Sequence, residues 1–325
     1  MTWLVTGGAG YIGAHIVRAL ASAGLPPVVI DDLSSGHAGF VPDGVPFVEG
    51  TILDTALVER TLREHDVVGV IHVAGYKYAG VSVQRPLHTY EQNVEGTRVV
   101  LAAMADAGVH NIVFSSSAAV YGTPDVPLVT EDLPKRPASP YGESKLIGEW
   151  LLRDQGVATA SDAHPLRHTS LRYFNVVGSA DPSVYDTSPH NLFPIVFEKL
   201  IAGETPQING DDYDTPDGTN VRDYVHVGDI AAAHVVAAQR LEAGEPIEAA
   251  YNLGSQNGLS VREIMDAVAR VTGIDFTPRI GPRRPGDPDR IVATGELAAR
   301  DLDWANRYTV DEMVRTGWEA RRAAR

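Results

Sequence analysis

The sequence predicts an α/β protein: a doubly wound parallel sheet with a smaller mixed α/β domain attached. Three observations carry this. Short apolar runs alternate with amphipathic stretches through residues 1–175. A glycine-rich turn joins the first apolar run to the first amphipathic stretch. After Asn175 the alternation fades into a segment rich in Pro, Asp and Gly, returns over 226–254, and fades again. The expected division is 1–175 with 226–254 as one domain, and 176–225 with 255–325 as the other.

Trp3 to Thr6 reads as a short strand. Thr6-Gly-Gly-Ala-Gly-Tyr-Ile-Gly13 follows, and then the helical pattern His15-Ile-Val-Arg-Ala-Leu20. Gly8, Gly10 and Gly13 fit G-x-G-x-x-G, and Gly7, Gly10 and Gly13 fit G-x-x-G-x-x-G. Glycine at such positions permits a tight turn, close backbone approach to a pyrophosphate, and close helix–strand packing. The helix N-terminus behind the turn offers amides to phosphate. A second strand, Val28-Val-Ile30, ends at Asp31. An acid there can accept from ribose hydroxyls and repels a 2′-phosphate, which favours NAD over NADP.

The alternation continues with a strand over Pro46 to Glu49, a helix over Leu53 to His65 and a buried strand over Gly69 to Val73. One long helix is expected over Thr89 to Gly108, then a strand over Asn111 to Phe114. Ligands of such sheets gather at the carboxyl ends of the strands. His72 to Gly80 and Ser115 to Gly122 occupy two of these ends. His72, at a buried strand end, reads as a structural hydrogen-bonding residue. In Ser139-Pro-Tyr-Gly-Glu-Ser-Lys145 the proline suits a first helical turn. Tyr141 and Lys145, four apart, then share a helix face. A fixed cation beside a phenol favours phenolate and makes it a general base. The sheet is expected to resume with a helix over Ile230 to Leu241 and a strand over Ala249 to Leu253.

Composition narrows the partners. The 325 residues carry no cysteine, so disulfides and thiol chemistry are excluded. The net charge of −15 argues against nucleic acid as a partner. No run of eighteen apolar residues suggests a membrane span, and no basic N-terminal region suggests a signal peptide, so a cytoplasmic protein is expected. The eleven histidines are scattered, and no metal site is expected. An acidic protein that takes an anionic substrate must concentrate its cations locally. Only four of the 27 basic residues are lysines, and Lys77 and Lys145 are two of them.

The glycine fingerprint, the serine run after a strand and Tyr-x-x-x-Lys together resemble the extended short-chain dehydrogenase/reductase family, a Rossmann-type fold. Within it the chain is most similar to the UDP-galactose 4-epimerases. The similarity runs the length of the chain: TGGAGYIG, HVAGYKYAGVSVQRP, NVEGT, SSSAAVYG, SPYGESK, LRYFNVVG, NGDDYDTPDGTNVRDYVHV, YNLGS and RRPGD. The resemblance implies reversible C4 epimerisation between UDP-galactose and UDP-glucose with tightly held NAD. Tyr141 would be the base, Lys145 would lower its pKa and hold the nicotinamide ribose, and Ser117 would share the proton. The implied NAD contacts are Gly7, Gly10, Tyr11, Ile12, Gly13, Asp31, Asp32, Thr51, Ile52, Ala74, Lys77, Asn93, Ser115 and Tyr173, besides Tyr141 and Lys145. The implied substrate contacts, besides Lys77, Ser117 and Tyr141, are Asn175, Asn191, Leu192, Gln207, Asn209, Arg222, Tyr224, Arg284 and Asp287. Arg222 and Arg284 would clamp the diphosphate, Asp287 would accept from the nucleotide ribose, and the Gln207–Asn209 segment would lie along the uracil. A homodimer through the helix carrying Tyr141 and the helix of Thr89 to Gly108 is implied by the same resemblance.

Plainer readings stand beside these. Ser117 could satisfy backbone groups at a strand end, Lys77 could be a solvated loop residue, and Arg222 and Arg284 could form domain-bridging ion pairs. Ala118-Ala119 after the serine leaves no extra acid or base, which suits hydride exchange without elimination or decarboxylation. The chain also departs from the epimerase pattern. Thr51 stands where an Asp often reads adenine, so weaker adenine recognition is expected. Asp32 replaces a usual Asn, Val176 a common Pro, and Ile291 leaves room for an N-acetyl group undecided. The run Gly156 to Arg167 reads as an insertion. Two alternatives follow: a 4-epimerase of a TDP-hexose or a UDP-N-acetylhexosamine, or a non-catalytic NAD-binding regulator on the same fold.

Overall fold

The computed structural model describes residues 1–284 and 287–324. Pro285 and Gly286, inside the RRPGD match, lie outside the described residues. From the N-terminus the elements are β1 (Thr2–Thr6), α1 (Tyr11–Ser22), β2 (Pro27–Asp31), β3 (Phe47–Glu49), α2 (Thr55–Glu64) and β4 (Val67–His72). Then come α3 (Ala79–Ser82), α4 (Pro86–Tyr90), α5 (Gly96–Ala107), β5 (Asn111–Ser117), α6 (Pro140–Ala158), β6 (Arg167–Tyr173) and β7 (Asn175–Val177). The rest of the chain supplies α7 (Leu192–Ile201), β8 (Gln207–Asn209), β9 (Val221–His226), α8 (Val227–Glu242) and β10 (Ala250–Leu253). It closes with β11 (Gly258–Ser260), α9 (Val261–Thr272), β12 (Arg279–Gly281), β13 (Arg290–Ile291), α10 (Glu296–Leu302) and α11 (Val310–Ala323).

Seven strands form one sheet in the order β10-β6-β5-β4-β1-β2-β3, and every pairing in it is parallel. Apolar side chains cover both faces of it, as a parallel sheet requires. On one face α1 and α8 pack over Trp3, Val5, Val29 and Leu171. On the other, α2 and α5 cover Leu4, Val28, Val70 and Ile112. A second core, built on Phe193, Phe197, Tyr224, Met265 and Trp318, lies among α7, α9 and α11. Its strands are short: β11-β9-β13 with β7 on β9, and a separate β12-β8 pair. His226 ends β9 and directly caps α8, so the two regions share a continuous piece of chain.

Caps set the helix boundaries where the sequence signals them. The Ser139 hydroxyl accepts from Gly142 N and Pro140 opens α6. Capping boxes at Ser260/Glu263 and Thr309/Glu312 start α9 and α11. The long helix expected over Thr89 to Gly108 is broken. Glu91–Glu95 winds as a π-helical turn between α4 and α5. The wider turn swings Asn93 inward. Its Oδ1 accepts from Tyr76 N at 2.6 Å, and its Nδ2 donates to Tyr76 O at 3.0 Å and to Ser144 Oγ at 2.8 Å. Three hydrogen bonds to α6 and to the loop after β4 offset the poorer helix geometry. The run from Gly156 to Arg167 closes α6 at Ala158 and then turns into β6.

Several titratable groups are buried with this core. His72 sits between the hydroxyls of Thr6, at 2.7 Å, and Thr97, at 3.1 Å. Burial holds His15, His226 and His234 down at about 4 and His72 at about 3. Burial raises the Asp223 and Asp229 carboxyls to about 6. The Asp223 carboxylate accepts from Ser255 N and Ala293 N, both at 3.0 Å, and so ties the segments after β10 and β13 to β9.

Two predictions follow from these contacts. A Cβ on Gly13 would lie 2.1 Å from the Gly7 carbonyl oxygen, whereas one on Gly39 would meet nothing. Gly13→Ala should therefore cost about 3 kcal/mol, a Tm drop of about 4–5 °C for a chain of this size, and Gly39→Ala almost nothing. Equal melting curves for the two variants would contradict the packing. The second concerns pH. The four depressed histidines stabilise the fold above about pH 6.5 and lose that contribution as pH falls toward their folded values. The two raised acids act oppositely, adding stability as they take protons below about pH 6. For these six groups the four downward histidine shifts together exceed the two upward carboxyl shifts, so over this range the unfolded state binds more protons. Thermal melts across this range should give a Tm that falls with acid; a rise would mean that the acids dominate.

Candidate active site

A cavity of about 900 Å³ opens at the carboxyl ends of β1, β2, β4, β5 and β6 and runs to β8 and β9 of the smaller region. This is where a doubly wound sheet places its ligands.

One end is built by the first two strands. Gly7 turns with φ +72°, and a Cβ there would lie 2.7 Å from Ala74 N. Gly7, Gly10, Tyr11, Ile12 and Gly13 line the wall. No side chain caps α1, so its first-turn amides are left for a ligand. Asp31 and Asp32 close this end together with Ile52. The Asp31 carboxylate accepts from Ala9 N at 3.0 Å and Leu33 N at 2.9 Å, and burial raises its pKa. A side-chain-free turn, uncapped helix amides and a fixed acid on the second strand fit a dinucleotide with free ribose hydroxyls.

The middle carries the expected catalytic groups. Ser117 ends β5, and Tyr141 and Lys145 come from the first turns of α6. Tyr141, Lys145, Ser117, Ala74, Lys77 and Tyr173 all face the cavity. Burial raises the Tyr141 phenol, and Ser117 works against that. The Ser117 hydroxyl also accepts from Ala119 N at 3.2 Å, so the plainer reading of this serine as a strand-end backbone partner is realised too. Burial brings the Lys145 amine down to about 8, and its Nζ donates to the Ser115 carbonyl at 2.9 Å. The lysine is anchored to the strand end, and the phenol answers first to burial and to Ser117.

The far end combines Asn175, Asn191, Leu192, Gln207, Asn209, Arg222, Tyr224, Arg284 and Asp287, all on the wall. Arg222 pairs with Asp287 and donates to the carbonyls of Pro288 and Val221, each at 2.7 Å. Asn220 Nδ2 donates to the other Asp287 oxygen at 2.9 Å. With the Asn209 amide assigned so that its oxygen faces Arg284, it accepts from that guanidinium at 3.0 and 3.1 Å. Arg222 is thus ion-paired, but within the smaller region rather than on the surface or across the two regions, and both arginines stay on the cavity wall.

Three expected contacts stand off the wall. The Thr51 hydroxyl accepts from Leu53 N at 3.2 Å, spent on its own turn, while Ile52 takes the wall position. Asn93 is buried and clamps Tyr76 and Ser144. Ser115 is buried against His234 Nε2, at 3.1 Å, because alternation along β5 turns it toward α8. Ile291 is also absent from the wall. It packs against Val120, Tyr121, Val129 and Leu146. In turn, the wall includes residues that sequence reasoning missed: Tyr76, Tyr78, Arg85, His88 and Gln92 around α4, and Tyr185, Asp186 and His190 before α7. Asp186 accepts from Asn191 Nδ2 at 2.7 Å, and Tyr78 meets His190 edge-on at 4.8 Å. These segments lack periodicity; only the acid five residues before Asn191 hinted at the pairing. Among the described residues, no cluster of three or more His, Asp or Glu is placed to hold a metal.

Comparison with known proteins agrees with this geometry. Residues 3–254 match the model of the NAD dependent epimerase/dehydratase family. The UDP-glucose 4-epimerase of Lactobacillus helveticus is 43% identical over 324 residues, covering 98% of this chain and 96% of that protein. The crystal structure of UDP-glucose 4-epimerase from Bifidobacterium longum in complex with NAD+ and UDP superposes with a TM-score of 0.90 at 36% identity, covering 99% of this chain and 98% of that one. A Stenotrophomonas maltophila UDP-glucose-4-epimerase with bound NAD and formylated UDP-arabinopyranose gives 0.93 at 38%, covering 100% and 98%. On a family match over most of its length and relatives aligned nearly end to end, the chain belongs to the NAD dependent epimerase/dehydratase family.

Proposed function

We propose that the protein interconverts UDP-galactose and UDP-glucose by epimerisation at carbon 4, through a transient 4-keto sugar. The observation that carries this is the meeting of Ser117, Tyr141 and Lys145 on one wall, midway along a cavity with a dinucleotide cradle at one end and two arginines at the other. When bound, NAD supplies reversible hydride exchange with sugar carbon 4. The chain supplies the rest. Tyr141 takes the 4-hydroxyl proton, and Ser117 holds the same oxygen as it becomes a carbonyl. Lys145, fixed on the Ser115 carbonyl at 2.9 Å, would hold the nicotinamide ribose. Arg222, Arg284 and Asn191 hold the diphosphate, so the sugar can turn and present its other face while the nucleotide stays put. Tyr141 then returns the proton with inverted configuration.

Asp31 would accept from the adenosine ribose, Lys77 from the loop after β4 would hold phosphate, and Tyr173 would flank the nicotinamide. Asp287, freed from Arg222 by an incoming diphosphate, accepts from the uridine ribose. We divide the chain as 1–175 with 226–254 for the dinucleotide and 176–225 with 255–325 for the sugar nucleotide. The membership of α8 and β10 in the larger core supports that division, while α10 and Trp304, assigned to the sugar-nucleotide part, pack into the larger core as well. Among the described residues no helix is long and apolar enough to cross a membrane. A homodimer through α4, α5 and α6 is supported by exposed apolar side chains there, Leu87 at 82% and Trp150 at 46%.

Ile291 packs against the cluster around Tyr121 and is absent from the cavity wall, so its side chain does not narrow the substrate range. UDP-N-acetylhexosamines are the second reading.

Tyr141→Phe should lower turnover of UDP-galactose by about 10²–10⁴-fold while NAD still co-purifies. Coupled detection of UDP-glucose without added cofactor reads this directly, and near-normal turnover would remove the assignment. In a panel with UDP-N-acetylglucosamine and TDP-glucose, the N-acetylated sugar should react within about tenfold of UDP-glucose in kcat/KM. A gap above about a hundredfold would restrict the enzyme to unsubstituted hexoses.

A further inference from the structure

We propose that Glu149 is a positioning residue for this reaction, its carboxylate locking together the three elements that carry the catalytic groups. The proposal rests on the epimerase reading above. Glu149 lies four residues beyond Lys145 and eight beyond Tyr141, on one face of α6. Its Oε1 accepts from Ser116 Oγ at 2.6 Å and from Arg172 Nε at 2.8 Å, and its Oε2 accepts from Arg172 Nη2 at 2.6 Å. The Glu149 and Arg172 side chains are only 11% and 5% exposed.

Each partner borders a group of the site. Ser116 separates Ser115, whose carbonyl holds Lys145, from Ser117, which bonds Tyr141. Arg172 immediately precedes Tyr173 on β6. The third guanidinium nitrogen, Nη1, donates to the Tyr121 hydroxyl at 2.7 Å, which in turn donates to Asn252 Oδ1 at 2.8 Å on β10. One carboxylate therefore fixes the height and roll of α6 against β5 and β6.

Stability alone is a poor account of such a pair. Removing two charges from water consumes most of what their attraction returns, and apolar residues fill such positions as well. What a bidentate pair provides is direction. The Ser117 bond is what opposes the effect of burial on the Tyr141 phenol, so a slip of α6 changes how readily that phenol gives up its proton.

The test compares wild type, Glu149→Gln and Ser116→Ala, each purified with its own cofactor. Turnover of UDP-galactose is followed as kcat, KM and the pH profile of kcat/KM, alongside Tm. Glu149→Gln keeps the volume but removes the charge, and Ser116→Ala removes one bond and keeps the ion pair. A misplacement of the catalytic groups should lower kcat about 10–100-fold in Glu149→Gln and about 2–10-fold in Ser116→Ala. KM should stay within about threefold of wild type, since the diphosphate contacts are untouched. The acid limb of kcat/KM should move to higher pH in both. Unchanged kcat and an unmoved limb, with only Tm lowered, would overturn the proposal and leave a structural ion pair. If Glu149→Gln does not fold, Ser116→Ala decides on the same criteria. An inactive wild type across the nucleotide-sugar panel would sink the epimerase reading itself; an active wild type with unaltered variants would sink only this inference.

Discussion

Every strand of the main sheet runs the same way, and the site depends on that constraint. Parallel strands bring all their carboxyl ends to one edge, so loops distant in sequence meet there. The glycine turn after β1, Asp31 after β2, Lys77 after β4, Ser117 on β5 and Tyr173 on β6 share one cavity for this reason. The smaller region joins the same edge because β9 runs straight into α8, which is packed on the main sheet. Arg222 and Tyr224 on β9 are thereby held at a fixed distance from Tyr141 without a dedicated linker.

Charge is distributed against the net. The protein carries −15 overall, yet the cavity holds Lys77, Lys145, Arg222 and Arg284. Surface acids are screened within about 8–10 Å at physiological salt. A dianionic nucleotide therefore meets these cations only after it has entered. The arginines at the far end are not idle before then. Asp287 and Asn209 hold them in place, so binding becomes an exchange of partners rather than an ordering of loose side chains.

The sheet was legible because periodicity and glycine chemistry reflect the backbone directly. Nearly every strand and helix of the larger region stands within a few residues of its expected place. The π-helical turn at Glu91–Glu95 was not legible, because it answers to Asn93 reaching Tyr76, a contact between segments far apart in sequence. Side-chain depth was the other gap. Ser115 and Ser117 leave one strand on the same side, yet the deeper one is held by His234 and Tyr173 while the one at the strand end reaches the cavity beside Tyr141. Thr51 resembles a ligand-facing residue in spacing and instead closes its own turn. The loop with Tyr185, Asp186 and His190 has no period, and only the fold reveals that it roofs the cavity.

The anchoring of Lys145 has a chemical consequence beyond turnover. An ordinary lysine near pKa 10.4 has about one free amine in a thousand at pH 7.4, whereas one near 8 has about one in five. Of the four lysines, burial brings this one down furthest, and it lies inside the cavity. An acylating agent small enough to enter the site when its cofactor is absent would meet there a lysine with far more free amine than an exposed one carries.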